Sequence, residues 1–160
     1  MNTLNLAEKK LSSIALLLQA IATVAIFLPF NYKEQWWKNY GDSYRLTNEY
    51  SISVFGGNYV RSGILGYLVL IFAIIAIAAF VLLLLGNRSR LTQVGIFSSI
   101  AALVFLIIVT LKFCLNSDLN DTRIVEVKMN WLIFIVFALQ IAVSVISLLI
   151  AFKKVNGIKE

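Results

Sequence analysis

The chain contains four long runs without a single Asp, Glu, Lys or Arg, at positions 11–32, 62–87, 91–111 and 129–152. These runs hold 22, 26, 21 and 24 residues. About 20 mainly apolar residues cover a hydrocarbon core of roughly 30 Å, so each run is long enough to cross a bilayer. Lipid offers the backbone no water to bond with, which leaves the helix as the form such a run takes. A membrane barrel would show alternating segments of about ten residues, and none of the four runs alternates. The expected fold is therefore an all-α integral membrane protein, a four-transmembrane-helix bundle occupying 1–160 as one domain. Its spans are placed at about 11–30, 62–85, 92–113 and 130–152, with outer loops at about 31–61 and 114–129. The first run follows Lys9 and Lys10 as a signal peptide would, but it is too long for a signal core. It ends in Phe27-Leu28-Pro29-Phe30 without a small-x-small cleavage site, so an uncleaved helix is expected.

The two longer connections carry a different period. Tyr44, Leu46, Tyr50, Ile52 and Val54 alternate with Arg45, Thr47, Glu49, Ser51 and Ser53. That pattern predicts a half-buried strand, or two short strands meeting near Asn48. Gly56-Gly57-Asn58 supplies a turn before the second span. In the later connection, Val125 and Val127 alternate with Glu126 and Lys128. A lone strand leaves its backbone groups unpaired, so the two outer loops are expected to pair into a small extracellular antiparallel β-sheet. The stretch 32–40 mixes aromatics with charges and reads either as a docking surface or as an interfacial anchor beyond the first helix. Trp36, Trp37, Tyr40, Tyr44 and Tyr50 are the candidate partner-binding residues.

Composition agrees with the pattern: 60% of the residues are hydrophobic and 14% charged, with a mean hydropathy of +0.87. A soluble chain of this size could not hide so much apolar surface. Charge then orients the bundle. The N-terminus, the 86–90 turn and the tail carry Lys9, Lys10, Arg88, Arg90, Lys153, Lys154 and Lys159, for a net +5. The opposite face carries as many cations over twice the length and a net of only +1. The positive-inside rule thus predicts a cell-membrane protein with both termini cytoplasmic. The cations are too dispersed for a nucleic-acid footprint, so no nucleic acid is expected.

No charged side chain lies deep inside a span, since Lys112 sits at the outer end of the third and can snorkel to the headgroups; intramembrane charge is the usual mark of a transport or catalytic site. What remains are amides and hydroxyls. Gln140, Ser144 and Ser147 share one helix face by their i, i+4, i+7 spacing, and Gln19 lies one turn from Thr23. Gln19, Gln140 and Ser144 are the candidate intramembrane polar residues, placed to join the first and fourth helices or to line a polar path. Gly95 and Ser99, and Ala73, Ala76 and Ala79, are small residues spaced for close helix approach. The chain has no His and one cysteine, Cys114, which removes His-based triads, most zinc sites and thiol–disulfide exchange within the chain. No catalytic residue, metal or cofactor is expected.

This plan of four spans, a long first outer loop, a tight inner turn and a shorter second outer loop resembles the claudin-type tetraspan architecture in layout. The claudin loop motif, a Trp followed by Gly-Leu-Trp and two cysteines, has no counterpart here. This chain has adjacent Trp36 and Trp37 and no cysteine pair in that loop. The expected function is that of a non-enzymatic binding or accessory subunit, regulatory or immunity-type, acting through its extracellular loops. Its partners would be the lipid bilayer and a membrane complex or extracellular peptide, with homo-oligomers as a further option. The alternative is an oligomeric transporter or pore using the Gln/Ser stripe.

Overall fold

The computed structural model describes residues 6–28, 31–38, 44–56, 62–86, 89–115, 119–120, 123–129 and 131–156. Four helices dominate it: α1 (Leu6–Ala25), α2 (Ile64–Gly86), α3 (Ser89–Leu115) and α4 (Trp131–Asn156). Three of them are long and apolar enough to cross a membrane, over Ile64–Leu85, Arg90–Cys114 and Trp131–Phe152. The fourth, α1, departs from the expected span of 11–30. It carries Glu8, Lys9 and Lys10 in its first turns and stops at Ala25. Its charge-free part is about 15 residues, roughly 22 Å of helix at 1.5 Å per residue. The stop is visible in the backbone, where Phe27 and Leu28 donate to the carbonyls of Val24 and Ala25, each at 3.1 Å. These tightened i→i−3 bonds close the helix before Leu28, whose following proline disfavours helical geometry. Pro29 itself lies outside the described residues.

α1 packs against α2 and α4, and α3 packs against the same two helices, so the four close into a ring. At one end of this ring α1 begins, α2 ends, α3 begins and α4 ends; we call it the terminal end. The bundle buries polar side chains within its apolar core and exposes large apolar ones. Ser12, Gln19, Thr92, Ser98, Ser99, Thr110, Gln140, Ser144 and Ser147 are buried, whereas Leu17, Val24, Leu85, Phe97, Phe134 and Phe152 are exposed. Water would penalise that exterior, and lipid does not. Small residues let α2 and α3 approach: Ala73, Ala76 and Ala79 are buried, and a side chain at Gly95 would meet the Phe80 ring at 3.2 Å.

At the other end, β1 (Asn31–Lys38), β2 (Tyr44–Ile52), β3 (Leu119–Asn120) and β4 (Arg123–Met129) form one antiparallel sheet in the order β2-β1-β4-β3. The architecture is therefore helical with a sheet at one end rather than all-α. The pairing corrects two expectations. First, 44–54 does not pair directly with the later connection, because β1 lies between β2 and β4. Second, residues 32–38 make up most of β1, one of the two inner strands of the sheet, where no strand was expected. Glu34, for example, pairs with Glu49 on one side and Glu126 on the other. The β1–β2 register shifts at Gln35/Trp36, leaving Thr47 as the extra residue of a bulge. The sequence of β1 lacks the alternation that marks β2, which is why periodicity missed it.

A four-residue turn ties the sheet to the bundle. Gly56 donates its N–H to the Ser53 carbonyl at 2.9 Å and has φ 94°, a conformation that favours glycine. Gly57 and Asn58, expected to share in this turn, lie outside the described residues. Val54 is fully buried, and the Phe55 ring stands between Phe27 at 5.2 Å and Tyr67 at 5.6 Å. Gly66 makes this fit possible, since a Cβ there would lie 2.6 Å from the Val54 carbonyl and 2.5 Å from Ser62 Oγ. A backbone carbonyl cannot yield as a side chain does. Gly66→Ala should therefore cost about 1–3 kcal/mol, and Gly95→Ala, which presses on a movable ring, should cost less. Thermal midpoints in mild detergent measure both, at about 2–4 °C per kcal/mol.

Candidate functional site

The two buried glutamines, with Ser99 and Ser144, form a polar layer between two apolar clusters. Toward the sheet lie Ala25, Ile26, Val54, Leu106, Val109, Phe113, Ile133 and Val136. Toward the terminal end lie Ala15, Ala76, Phe80, Val143 and Ile150. Between them, the carboxamides of Gln19 on α1 and Gln140 on α4 bond reciprocally: each Nε2 donates to the other's Oε1 at 3.3 Å. Gln140 Nε2 also donates to the Ser99 carbonyl on α3 at 2.9 Å, so the network joins three helices. That carbonyl dictates how the Gln140 amide is turned, because the opposite orientation would set two acceptors face to face.

The hydroxyls around the layer mostly serve their own helices. Thr23 Oγ1 donates to the Gln19 carbonyl at 2.7 Å, Ser144 Oγ to that of Gln140 at 2.9 Å, and Ser147 Oγ to that of Val143 at 2.7 Å. Ser99 Oγ lies 2.8 Å from the Gly95 carbonyl and 3.5 Å from Gln19 Oε1, and its one proton goes to the nearer acceptor. Gln19 is fully buried and Gln140 nearly so. The amides are thus largely satisfied by one another in a dry setting. Their arrangement can hold helices in register, but it carries no group that titrates near neutrality.

The structure brings Gln19, Gln140 and Ser144 together, and Ser99 joins them as a residue not singled out with these three. Of the aromatic candidates, Trp36 and Trp37 fall in β1, and Tyr44 and Tyr50 in the neighbouring β2. Trp36 is registered with Leu46 and Ile124, and Trp37 with Arg45 and Arg123. Tyr40 lies outside the described residues. Tyr67 and Trp131, at the sheet end of α2 and α4, are exposed, as belt residues are. Sequence reasoning passed over two buried hydroxyls, Ser12 and Thr92. Their seven-residue spacing from Gln19 and Ser99 was the signal that could have found them.

Among the described residues no group of three His, Cys, Asp or Glu is placed to hold a metal. An apolar groove of about 370 Å³ runs along the outside of α1, lined by Ala20, Ile21, Val24, Ala25 and Leu28, and offers shape without chemistry. No protein-family model matches the chain, and no curated protein matches it in sequence.

The reciprocal pair has a thermodynamic signature. Gln140→Leu leaves the Gln19 amide buried without its partner and should destabilise the bundle by about 1–3 kcal/mol. Adding Gln19→Leu removes the orphan, so the double variant should lose less than the sum of the two single losses. A double-mutant cycle of unfolding in detergent measures the coupling, expected near 0.6 kcal/mol for a pair within a membrane bundle. Strict additivity would show that the two amides do not interact.

Proposed function

We propose that this chain is a multi-pass protein of the cell membrane, with four crossings, both termini cytoplasmic and the sheet outside. In this reading it acts as a non-enzymatic binding or accessory subunit, regulatory or immunity-type. Its outer sheet engages a protein partner, either a larger membrane complex or an extracellular peptide. The fourth crossing is supported by the packing of α1 along both α2 and α4 and by the burial of Gln19 at the level of Gln140. The orientation is supported by the net +5 of the terminal end against +1 at the sheet end.

One observation carries the binding role. β2 is nine residues long, pairs with β1 along one side, and has no described strand along the other. An open edge presents backbone donors and acceptors to any extended segment that lies beside it. The aromatic positions 36, 37, 44 and 50 fall on this strand and its neighbour, and aromatics dominate binding hot spots. The bundle interior, lacking charge, offers no competing chemistry.

Two experiments test the reading. With Cys114→Ser as background, single cysteines at Asn2 and Asn120 are exposed to a membrane-impermeant maleimide on intact cells. Asn120→Cys should label and Asn2→Cys should not; the reverse pattern would overturn the orientation. For function, a partner retained in mild detergent should be lost about tenfold, or roughly 1.4 kcal/mol, on Trp36→Ala with Tyr50→Ala. A chain that purifies alone, and whose deletion leaves cells unaffected, would count against an accessory role.

A second reading, an oligomeric transporter or pore, draws on the layer formed by Gln19, Ser99, Gln140 and Ser144. It predicts solute flux in proteoliposomes that Gln140→Leu abolishes.

A further inference from the structure

We propose that the seam between α1, α3 and α4 holds ordered water at the level of Ser12, Thr92 and Ser147, two helical turns beyond the glutamine pair toward the terminal end. The register follows from the hydrogen bonds of the glutamine layer. Gln140 is tied to Gln19 on α1 and to the Ser99 carbonyl on α3, and α4 runs opposite to both of those helices. Seven residues are two turns, about 10.5 Å of rise, and return to nearly the same face. Seven steps toward the terminal end lead to Ser12, Thr92 and Ser147; seven steps toward the sheet lead to Ile26, Leu106 and Ile133. All six are buried, so one side of the glutamine layer is lined by hydroxyls and the other by hydrocarbon.

Two of those hydroxyls have no partner. Ser12 Oγ and Thr92 Oγ1 make no hydrogen bond, although their residues are 0% and 5% exposed. This is not how helical hydroxyls in this protein behave. Ser13, Thr23, Ser99, Ser144 and Ser147 each donate to the carbonyl four residues back, at 2.7–3.0 Å. Ser12 forgoes that bond within α1, and Thr92, in the first turn of α3, has no helical residue four back; both hydroxyls remain available to another group. Ser147 Oγ donates to Val143 but keeps its own lone pairs, so the level supplies three oxygens. A buried water takes two to four such partners, and small residues, Ala15 and Ser144, occupy the turn between this level and the glutamines. Water rather than a cation is the occupant proposed, because the side chains at this level, Ser12, Thr92 and Ser147, are neutral hydroxyls. Thr110 Oγ1 is also unpartnered, but it lies beside the apolar Val109 and Phe113 cluster, where water would find too few bonds. Water is thus placed at the hydroxyl level, beside the apolar cluster of the terminal end, and not at the Ile26, Leu106 and Ile133 level.

The test uses the full chain in lipid bilayers. Water-edited solid-state NMR should show magnetisation transfer from water to Ser12, Thr92 and Ser147, and none to Ile26, Leu106 and Ile133. Absence of transfer at Ser12 and Thr92, or equal transfer at the apolar level, overturns the proposal. A second measurement reads the sign of a stability change. If water bridges the hydroxyls, Ser12→Ala and the isosteric Thr92→Val each lower the thermal midpoint by about 2–4 °C, and the double variant loses less than their sum. An unchanged or raised midpoint, as relief of an empty orphan would give, overturns it.

Discussion

The reciprocal amide pair between Gln19 and Gln140 sets the vertical register of the bundle, and most of the remaining geometry can be counted from it. Apolar contacts between helices have many near-equivalent registers in lipid, because sliding one helix past another exchanges one hydrocarbon contact for a similar one. Two buried carboxamides have no such freedom. If α1 slips by one turn toward the sheet, Gln19 comes level with Val136 and Gln140 with Ala15, and both amides lose each other. The third bond, from Gln140 Nε2 to the Ser99 carbonyl, extends the same restriction to α3. The energy of each bond is small, but the energy difference between registers is larger, and that difference is what specifies the fold.

α2 lies outside this polar system and is held by shape. Its inward positions are Ala73, Ala76, Ala79, Phe80 and Leu83, all buried. Gly95 admits the Phe80 ring against α3, and Phe72 stacks on Phe105 with centroids 5.5 Å apart and rings 9° from parallel. Such packing needs close approach, which small residues permit, rather than polar matching. At the sheet end the same helix receives the Ser53–Gly56 turn through Gly66. α2 therefore helps to couple the sheet to the bundle, while the other three helices carry the polar register.

The helices were legible in the sequence because charge is excluded from them, and the face shared by Gln140, Ser144 and Ser147 followed from helical spacing alone. Their ends were less so. α1 stops at Ala25 because Leu28 precedes a proline, a local backbone effect that a hydropathy run does not register. β2 announced itself by alternation. β1 did not, because it has strands on both sides and a sequence, NYKEQWWK, in which aromatic and charged residues do not alternate. The partner of Gln19 could be named from depth in the bilayer. The role of Ser12 and Thr92 could not, since it depends on which hydroxyls fail to bond their own helix, a property of rotamers rather than of composition.

Where the molecule can do work follows from which of its hydrogen-bonding groups are already engaged. Inside the bundle, the glutamines bond each other and a backbone carbonyl, so a solute using them must first break a network that fixes the helix register. On the sheet side of that layer, Leu106, Phe113, Ile133 and Val54 fill the space without a polar atom in their side chains. A path through the bundle would have to undo both features. The sheet presents the opposite situation, for β2 is bonded on one side only among the described strands. A partner strand that paired there would satisfy backbone groups without disturbing anything already formed. Binding at the edge is thus compatible with the packed bundle, whereas conduction through it requires a rearrangement, and this asymmetry favours the accessory reading over the pore.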